Sequence, residues 1–305
     1  MTIDTVLVAY RSEDVIEDAV TAASHLGGKV VVVDHGDGAS AERAEETGAV
    51  VVADPSNPGF GAGQNRGVAR TSSPFVLLCN PDAEIVPNAI TAGAAFLEAH
   101  PEVAAVQGVI VNADTGRPER SAGVELGPVH LLGRAIGAKG LLQFRAVQAL
   151  ARCVPSLRDH TERIPAGPVE VESIAATAIL VRRAAFDQVG GFDESYFLYG
   201  EDLDLCRRLR AAGWTLVTLP EVWARHVSGA SAESACQREM SWWQGTMQFA
   251  ARWWGTGPWG VAVVAATFRW SRLAVGHPSQ AYSSLSSLVI DSYRLRANIP
   301  SLASR

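Results

Sequence analysis

Two short apolar segments near the start of the chain, Val6-Leu-Val-Ala-Tyr10 and Val30-Val-Val-Val-Asp34, decide the fold class. Continuous apolar runs of this length are typical of strands that are buried on both faces of a parallel sheet. Between them, apolar residues recur at helical spacing from Val15 to Leu26, with Ser12 as the expected N-cap. Together these segments predict a βαβ unit.

The alternation of strand and helix continues along the first third of the chain. Ala49-Val-Val-Val-Ala53 and Phe75-Val-Leu-Leu-Cys79 predict two further strands, Pro87 opens a predicted helix, and residues 103–111 predict another strand. Residues 1–111 therefore predict a doubly wound half that binds a nucleotide at the carboxyl ends of its strands.

The second half shows a weaker pattern before the alternation returns. Residues 178–181 and 215–219 predict strands, residues 201–212 predict a helix, and residues 131–154 read as a helix with glycine breaks. The tryptophan-rich tail from Ser241 also predicts helices. We expect one α/β domain over residues 1–235, divided at residue 111, and a helical extension over residues 236–305.

Composition excludes several classes of protein. The net charge of −6 over 305 residues argues against a nucleic-acid partner, because phosphate backbones are bound by clustered Lys and Arg. Four scattered cysteines without CxxC spacing suggest neither a zinc site nor a disulfide framework. The N-terminus lacks the pattern of a secretory signal, and the apolar run 258–268 is about half the ~20 residues that span a bilayer. A cytoplasmic protein is expected.

The first candidate for chemistry is Asn80-Pro-Asp82-Ala-Glu84, which directly follows a predicted strand. Mg²⁺ and similar ions are held by one or two carboxylates together with waters and substrate phosphates. Asp82 and Glu84, one residue apart at a strand's carboxyl end, suit such a site. The alternative is an ordinary turn, since Asn, Pro and Asp are common turn residues.

A second cluster of acids, Glu201, Asp202 and Asp204, opens the predicted helix 201–212. Acids in a first turn often only complement the helix dipole. A carboxylate at this place could also reach an acceptor hydroxyl as a general base. His226 is a third candidate: a lone histidine is usually a core or surface residue, but this one follows a predicted strand by a short loop and could bind a metal.

The glycine-rich run Asn57-Pro-Gly-Phe-Gly-Ala-Gly-Gln-Asn65-Arg66-Gly67 follows the third predicted strand. A dinucleotide fingerprint would follow the first strand, so this run does not predict one. It is either an ordinary glycine loop or a turn close to a sugar nucleotide, with Asn65 and Arg66 at a helix start. Asp34 ends the second strand, where a carboxylate could bind a base or ribose.

In this order, the segments resemble family 2 glycosyltransferases, and especially their bacterial rhamnosyltransferase-like branch. The resemblance covers roughly residues 4–232, and each motif alone is weak, whereas six in order are specific. The segments that carry it are 6–10, 30–34, 57–67, 80–84, 180–193, Gly200-Glu-Asp202, and His226 with Gly229 and Ser231.

The resemblance implies a GT-A fold, a doubly wound mixed sheet flanked by helices, and sugar transfer with inversion from a nucleoside diphosphate sugar. It implies Mg or Mn as the cofactor, held by Asp82, Glu84 and His226. It implies Asp202 as the catalytic base with Glu201 as its neighbour. The sugar nucleotide is expected to contact Tyr10, Asp34, Asn65, Arg66 and Asp82, in the half 1–111, and the acceptor to bind the half 112–235.

Donor and acceptor are expected from the same resemblance. It favours dTDP-L-rhamnose over a UDP-sugar, and a lipid-linked or cell-surface glycan as acceptor. The segment Asp34-His35-Gly36-Asp37 replaces the Asn-Ser-type turn of many relatives, which leaves the base open. The tail contains Trp242, Trp243, Trp253, Trp254, Trp259 and Trp270. These predict either peripheral contact with the inner face of the plasma membrane, or helices packed on the domain or on a second subunit.

Two other functions compete with sugar transfer. A nucleotidyltransferase also uses paired acids and a metal, but it would carry a basic, glycine-rich phosphate loop after the first strand, where this chain has Arg11-Ser-Glu-Asp14. A degenerate scaffold that binds sugar nucleotides without turnover is the other alternative. The presence of Asp82, Asp202 and His226 argues against it.

Overall fold

The computed structural model describes residues 2–119, 121–136, 164–226, 235–276, 290, 293 and 294. The strands of the main sheet are β1 (Ile3–Ala9), β2 (Gly27–Asp34), β3 (Val50–Ala53), β4 (Phe75–Cys79), β5 (Ala83–Ile85), β6 (Val103–Asn112), β8 (Val169–Val171), β10 (Ala178–Arg182) and β11 (Thr215–His226). A small second sheet pairs β7 (Ala122–Gly123) with β9 (Ser173–Ile174). The helices are α1 (Ile16–Ser24), α2 (Ala39–Glu46), α3 (Phe60–Val68), α4 (Pro87–Ala99), α5 (Pro128–Ala135), α6 (Arg183–Gln188), α7 (Glu201–Ala211), α8 (Ala235–Trp253) and α9 (Thr256–Gly276).

The main sheet is mixed, in the order β3-β2-β1-β4-β10-β6-β11-β5, with β8 beside β11. Strands β1 to β4 are parallel, β10 runs antiparallel to β4 and β6, and β11 is parallel to β6. The carboxyl ends of β1–β4, β6 and β11 therefore lie along one edge, which we call the carboxyl edge. Strand order reverses at β1, the position where α/β sheets bind ligands.

The core lies on both faces of this sheet. All seven residues of β1 and all five of β4 are buried. Leu77 packs in one hydrophobic cluster and Leu78 in another, because successive strand residues point to opposite faces. The reading of these apolar runs as doubly covered strands is confirmed.

Several predicted elements match the structure closely, and others differ. Strand β4 and the start of α4 at Pro87 are as predicted. Ser12 is not the cap of α1, which begins at Ile16, because the Ser12 carbonyl accepts the N–H groups of Val15 and Ile16 in a preceding turn (3.1 and 3.0 Å). The buried face of α1 is consequently Ile16, Val20 and Ala23 rather than the one through Val15.

Strand β11 is longer than predicted. The apolar pattern suggested an end at Leu219, but the strand continues to His226 because it pairs with β6 from Val103 to Asn112. An irregularity between Thr218 and Val222 accommodates Pro220, which has no N–H to donate. His226 is therefore the last residue of a strand and not part of a loop.

The described residues form two compact units. The larger contains the sheet, and the second contains residues 125–136, 198–200 and 235–276, which are mainly α5, α8 and α9. Inside the second unit, Arg269 donates to both carboxylate oxygens of Glu239 (2.7 and 2.8 Å), and Arg134 lies 3.9 Å over the ring of Trp242. The predicted helix 131–154 lies outside the described residues after 136, as do Gly229 and Ser231.

Burial corrects one interpretation of the tail. Trp243, Trp254, Trp259 and Trp270 are buried, so these four rings cannot lie in a membrane interface. Packing of the helices on the domain or on a second subunit stays a prediction. No helix in the described part of the chain is long and apolar enough to cross a membrane.

The tight contact between Gly108 of β6 and Trp223 of β11 gives a stability prediction. A methyl group at Gly108 would overlap the fully buried indole of Trp223. We expect Gly108→Ala to lower the free energy of unfolding by about 1–3 kcal/mol, the usual cost of overpacking a core. Gly167→Ala, which places its methyl group in open space, is the matched control and should change it little. Urea denaturation measures both, and equal changes would contradict this packing.

Candidate functional site

Four polar side chains collect at the carboxyl edge. Asp34 ends β2, Asp54 follows β3, Asp82 lies between β4 and β5, and His226 ends β11. The parallel strands bring their carboxyl ends together although the residues are far apart in sequence. This edge is the candidate active site, and it lies wholly within the larger unit.

His226 lies between two carboxylates. Its Nδ1 is 2.9 Å from Glu119 Oε2, and its Nε2 is 3.5 Å from Asp82 Oδ2. Burial lowers the pKa of His226, but the hydrogen bond and charge of Asp82, and then those of Glu119, outweigh burial and raise this pKa to about 9. Without a cation the imidazole is therefore protonated at neutral pH.

Asp82 and His226 fit a divalent-cation site. Two ligands at about 2.1 Å from one Mg²⁺, at right angles, lie about 3 Å apart, close to the separation of these donors. In the described part of the chain, this site included, no group of three His, Cys, Asp or Glu side chains converges to hold a metal. Two protein ligands suit ions such as Mg²⁺ that also bind water and substrate phosphates.

Glu84 does not join this pair. In the antiparallel register of β5 and β11, Ala83 lies opposite His226 and Glu84 lies opposite Arg225. Since side chains alternate along a strand, Glu84 is on the other face of β5 from His226, and it is exposed. Its role as a metal ligand stays a prediction.

The acids at the start of α7 occupy three different environments. Asp204 is fully buried and accepts a hydrogen bond from Arg208 Nε at 2.6 Å, so it anchors the helix. Glu201 is only 4% exposed, and its Oε2 has no hydrogen-bond partner. Burial, and secondly the charge of Asp202, raise the pKa of Glu201 to about 8. Asp202 is half-buried, so it is the acid of the pair that a substrate can reach.

The glycines of the run 57–67 serve close packing rather than a phosphate loop. Methyl groups at Gly63 and Gly67 would overlap Val8 and Val6 of β1, so α3 lies directly on the sheet. A methyl group at Gly61 would lie 2.9 Å from the Cβ atom of Phe192 and 3.6 Å from the Cβ atom of Glu201. The first turn of α3 therefore supports the start of α7 at the carboxyl edge.

Asn65 and Arg66 are held by protein partners. The N–H of Phe192 donates to Asn65 Oδ1 (2.9 Å), and Asn65 Nδ2 donates to the Phe192 carbonyl (2.9 Å) and to Glu194 (3.0 Å). Arg66 forms an ion pair with Asp54, and its side chain is 38% exposed. Asn65 thus fixes the loop before α7, and contact of either residue with a sugar nucleotide stays a prediction.

Asp34 and Tyr10 differ in their availability to a ligand. Asp34 is buried, and its two carboxylate oxygens accept the N–H groups of Gly36 (3.0 Å) and Gly38 (3.1 Å). It shapes the turn after β2. Tyr10 follows β1 and is 46% exposed, with the Arg11 guanidinium 5.3 Å from the centroid of its ring, and its contact with a nucleotide stays a prediction.

Three residues at or near this site, Glu119, Asp54 and His35, are not predicted from the sequence. His35 is buried, with Nδ1 2.9 Å from the Asp54 carbonyl, and burial together with the Arg66 charge lowers its pKa. Asp54 could have been predicted as a site residue, because it directly follows β3 in the same way that Asp34 ends β2. Nothing in the sequence signals Glu119, which reaches His226 only through the fold.

The sequence pattern described as glycosyltransferase like family 2 matches residues 3–246. An N-acetylglucosaminyl-diphospho-decaprenol L-rhamnosyltransferase of Mycobacterium tuberculosis (strain ATCC 25618 / H37Rv) is 48% identical over 65 residues, which are 21% of each chain. Rhamnosyltransferase WbbL of Escherichia coli (strain K12) is 37% identical over 83 residues, 27% of this chain and 31% of that protein. The matches thus span less than a third of these relatives.

Two solved structures share the fold. Mannosyltransferase PcManGT from Pyrobaculum calidifontis, in complex with GDP-Man and Mn²⁺, has a TM-score of 0.53 at 15% identity, over 98% of this chain and 76% of that one. S. aureus TarS 1-349 has a TM-score of 0.50 at 13% identity, over 97% and 90% of the two chains. This chain therefore belongs to glycosyltransferase family 2 and has the GT-A fold, which confirms the resemblance read from its motifs.

The buried Glu201 carboxyl gives a pH prediction. Its pKa is about 8 in the folded chain against an ordinary value of 4.5, so the unfolded chain binds fewer protons between these values. Glu201 therefore reduces stability as pH rises through that window. We expect the melting temperature of Glu201→Gln, minus that of the wild type, to increase from about pH 5 to about pH 8.

The exposed Glu98 on α4 provides the matched control. Glu98→Gln should show no such trend. A Glu201→Gln difference that stays constant with pH would mean that Glu201 is ionised in the folded chain.

Proposed function

We propose that this chain is an inverting glycosyltransferase that uses a nucleoside diphosphate sugar and Mg²⁺ or Mn²⁺. The observation that carries the proposal is the short distance, 3.5 Å, between Asp82 Oδ2 and His226 Nε2 at the carboxyl edge. Asp202 lies at the start of α7, and this end of the helix packs against the first turn of α3, next to the carboxyl edge. The Mn²⁺ in the mannosyltransferase structure supports a divalent cation here.

In this mechanism Asp202 accepts the proton of the acceptor hydroxyl, and the hydroxyl oxygen forms a bond to the anomeric carbon. The bond from that carbon to the diphosphate oxygen breaks on the opposite face, so the configuration inverts. Asp82 and His226 would hold the cation, which when bound neutralises charge on the departing diphosphate. Glu201 is protonated and buried, so it does not compete with Asp202 for the acceptor proton.

For the donor we propose dTDP-L-rhamnose, and for the acceptor a lipid-linked or cell-surface glycan. Both relatives named above are rhamnosyltransferases, and the name of the first specifies a diphospho-decaprenol acceptor. The exposed ring of Tyr10 at the end of β1 would stack on the base, while Asp34 sets the shape of the adjoining turn.

We propose a cytoplasmic protein that contacts the inner face of the membrane peripherally. Because four of the tail tryptophans are buried, we expect other apolar side chains to make this contact, such as Val264 and Phe268, which are exposed on α9. The same face could instead pair two copies of the chain as a homodimer. Light scattering with and without lipid vesicles separates these two cases.

The donor nucleotide can be tested by thermal shift. We expect dTDP with Mn²⁺ to raise the melting temperature more than UDP or GDP, since a ligand at about 100 times its Kd adds about 2.7 kcal/mol. Without Mn²⁺ the shift should shrink. No shift with any of the three nucleotides would favour a scaffold without a working donor site.

The role of Asp202 can be tested by substitution. We expect Asp202→Asn to lower kcat by about 10²–10⁴-fold, the usual contribution of a general base, with donor binding retained. The exposed Asp187→Asn on α6 is the matched control and should transfer sugar at the wild-type rate. Transfer that persists in Asp202→Asn would remove Asp202 from the mechanism.

A further inference from the structure

Residues 112–119 form a tight hairpin at the carboxyl end of β6, which we call the 112–119 hairpin. Within it, the N–H of Gly116 donates to the Asn112 carbonyl and the N–H of Asn112 donates to the Arg117 carbonyl, both at 2.8 Å. The N–H of Glu119 then donates to the Ile110 carbonyl at 2.7 Å. These bonds turn the chain back, so that Glu119 lies beside β6 rather than extending into solvent.

The 112–119 hairpin is also bonded to the end of β11. Asn112 is the β6 partner of His226, and the N–H of Ala113 donates to the His226 carbonyl at 3.0 Å. Backbone pairing therefore fixes the base of the hairpin against the residue whose side chain Glu119 contacts. The position of the Glu119 carboxylate relative to the imidazole is set by the fold.

A chain of hydrogen bonds orients each group in turn. The N–H and hydroxyl of Thr115 both donate to Asn112 Oδ1 at 2.9 Å, so the amide nitrogen of Asn112 faces the other way. That nitrogen donates to Glu119 Oε1 at 3.2 Å. Glu119 Oε2 accepts the Nδ1 proton of His226 at 2.9 Å. The Nε2 atom of His226 is thereby directed to the side of Asp82.

We propose that Glu119 is a positioning residue for the divalent-cation site, which keeps the Nδ1 proton on His226 and directs Nε2 toward Asp82. This inference rests on the proposed function, because it requires a cation at Asp82 and His226. Histidines that bind metals usually donate their second ring N–H to a carboxylate or carbonyl, which fixes the tautomer and the ring orientation. Glu119 does not act as a ligand itself, because it contacts the imidazole nitrogen that faces away from Asp82.

The experiment measures Mn²⁺ uptake by the full chain from the electron paramagnetic resonance signal of free Mn²⁺. It is run with Mn²⁺ alone, and again with dTDP, UDP or GDP added. We expect Glu119→Ala to weaken Mn²⁺ binding by about 10- to 100-fold, the usual effect of losing such a partner. Binding of the nucleotide without metal should be unchanged, which a merely structural defect would not leave intact.

Two further variants sharpen the test. In Glu119→Gln one amide group must serve both Asn112 and His226, and it cannot accept from both. We therefore expect weaker Mn²⁺ binding from this conservative variant as well, which carries the test if Glu119→Ala does not fold. Asp114→Asn removes an exposed carboxylate from the same hairpin and should bind Mn²⁺ like the wild type.

His226→Ala provides the reference for a lost ligand. If it loses Mn²⁺ while both Glu119 variants bind like the wild type, the positioning role of Glu119 is wrong and the proposed cation site stands. If the wild-type chain takes up no Mn²⁺ under any of these conditions, the cation site fails and the role of Glu119 fails with it.

Discussion

The parallel pairing of β11 with β6 is the constraint on which the site depends. It continues to His226 opposite Asn112, and the antiparallel pairing with β5 places Ala83 opposite the same histidine. Because side chains alternate along a strand, a slip of one residue in either pairing would turn His226 away from Asp82. Trp223, which is packed tightly against Gly93 and Gly108, opposes such a slip. Core packing thus determines the geometry of a pair of polar side chains at the surface.

A second constraint places the acids of α7. Glycines allow α3 to lie directly on β1, and its first turn in turn supports Phe192 and Glu201. Asn65 fixes the loop that leads to α7 by bonding both backbone groups of Phe192. The glycine-rich run therefore contributes to the site indirectly, by determining how closely three elements can approach. A side chain larger than hydrogen at Gly61 or Gly63 would separate them.

Much of this arrangement could be predicted from sequence, because four strands of the first half contain continuous apolar runs that are followed by polar residues. The pairing of Asp82 with His226, far apart in the chain, came from motif order alone. Periodicity failed where tertiary contacts override local signals. The end of β11 is set by β6 rather than by its own apolar pattern, and Ser12 is drawn into a turn instead of a cap. Glu119 was not predictable, since its contact with His226 needs a hairpin and two strand registers to be known together.

The two adjacent acids at the start of α7 show how burial assigns different roles to similar residues. Two carboxylates on consecutive residues would repel each other if both were ionised. Burial makes ionisation of Glu201 costly, because none of the described residues donates a hydrogen bond to its Oε2 atom. Asp202 is half-buried in the first turn of the helix, where the dipole favours a negative charge. In the proposed mechanism it is therefore the member of the pair that accepts the acceptor proton. Asp204 differs from both acids, because it is buried but paired with Arg208 and so stabilises the helix.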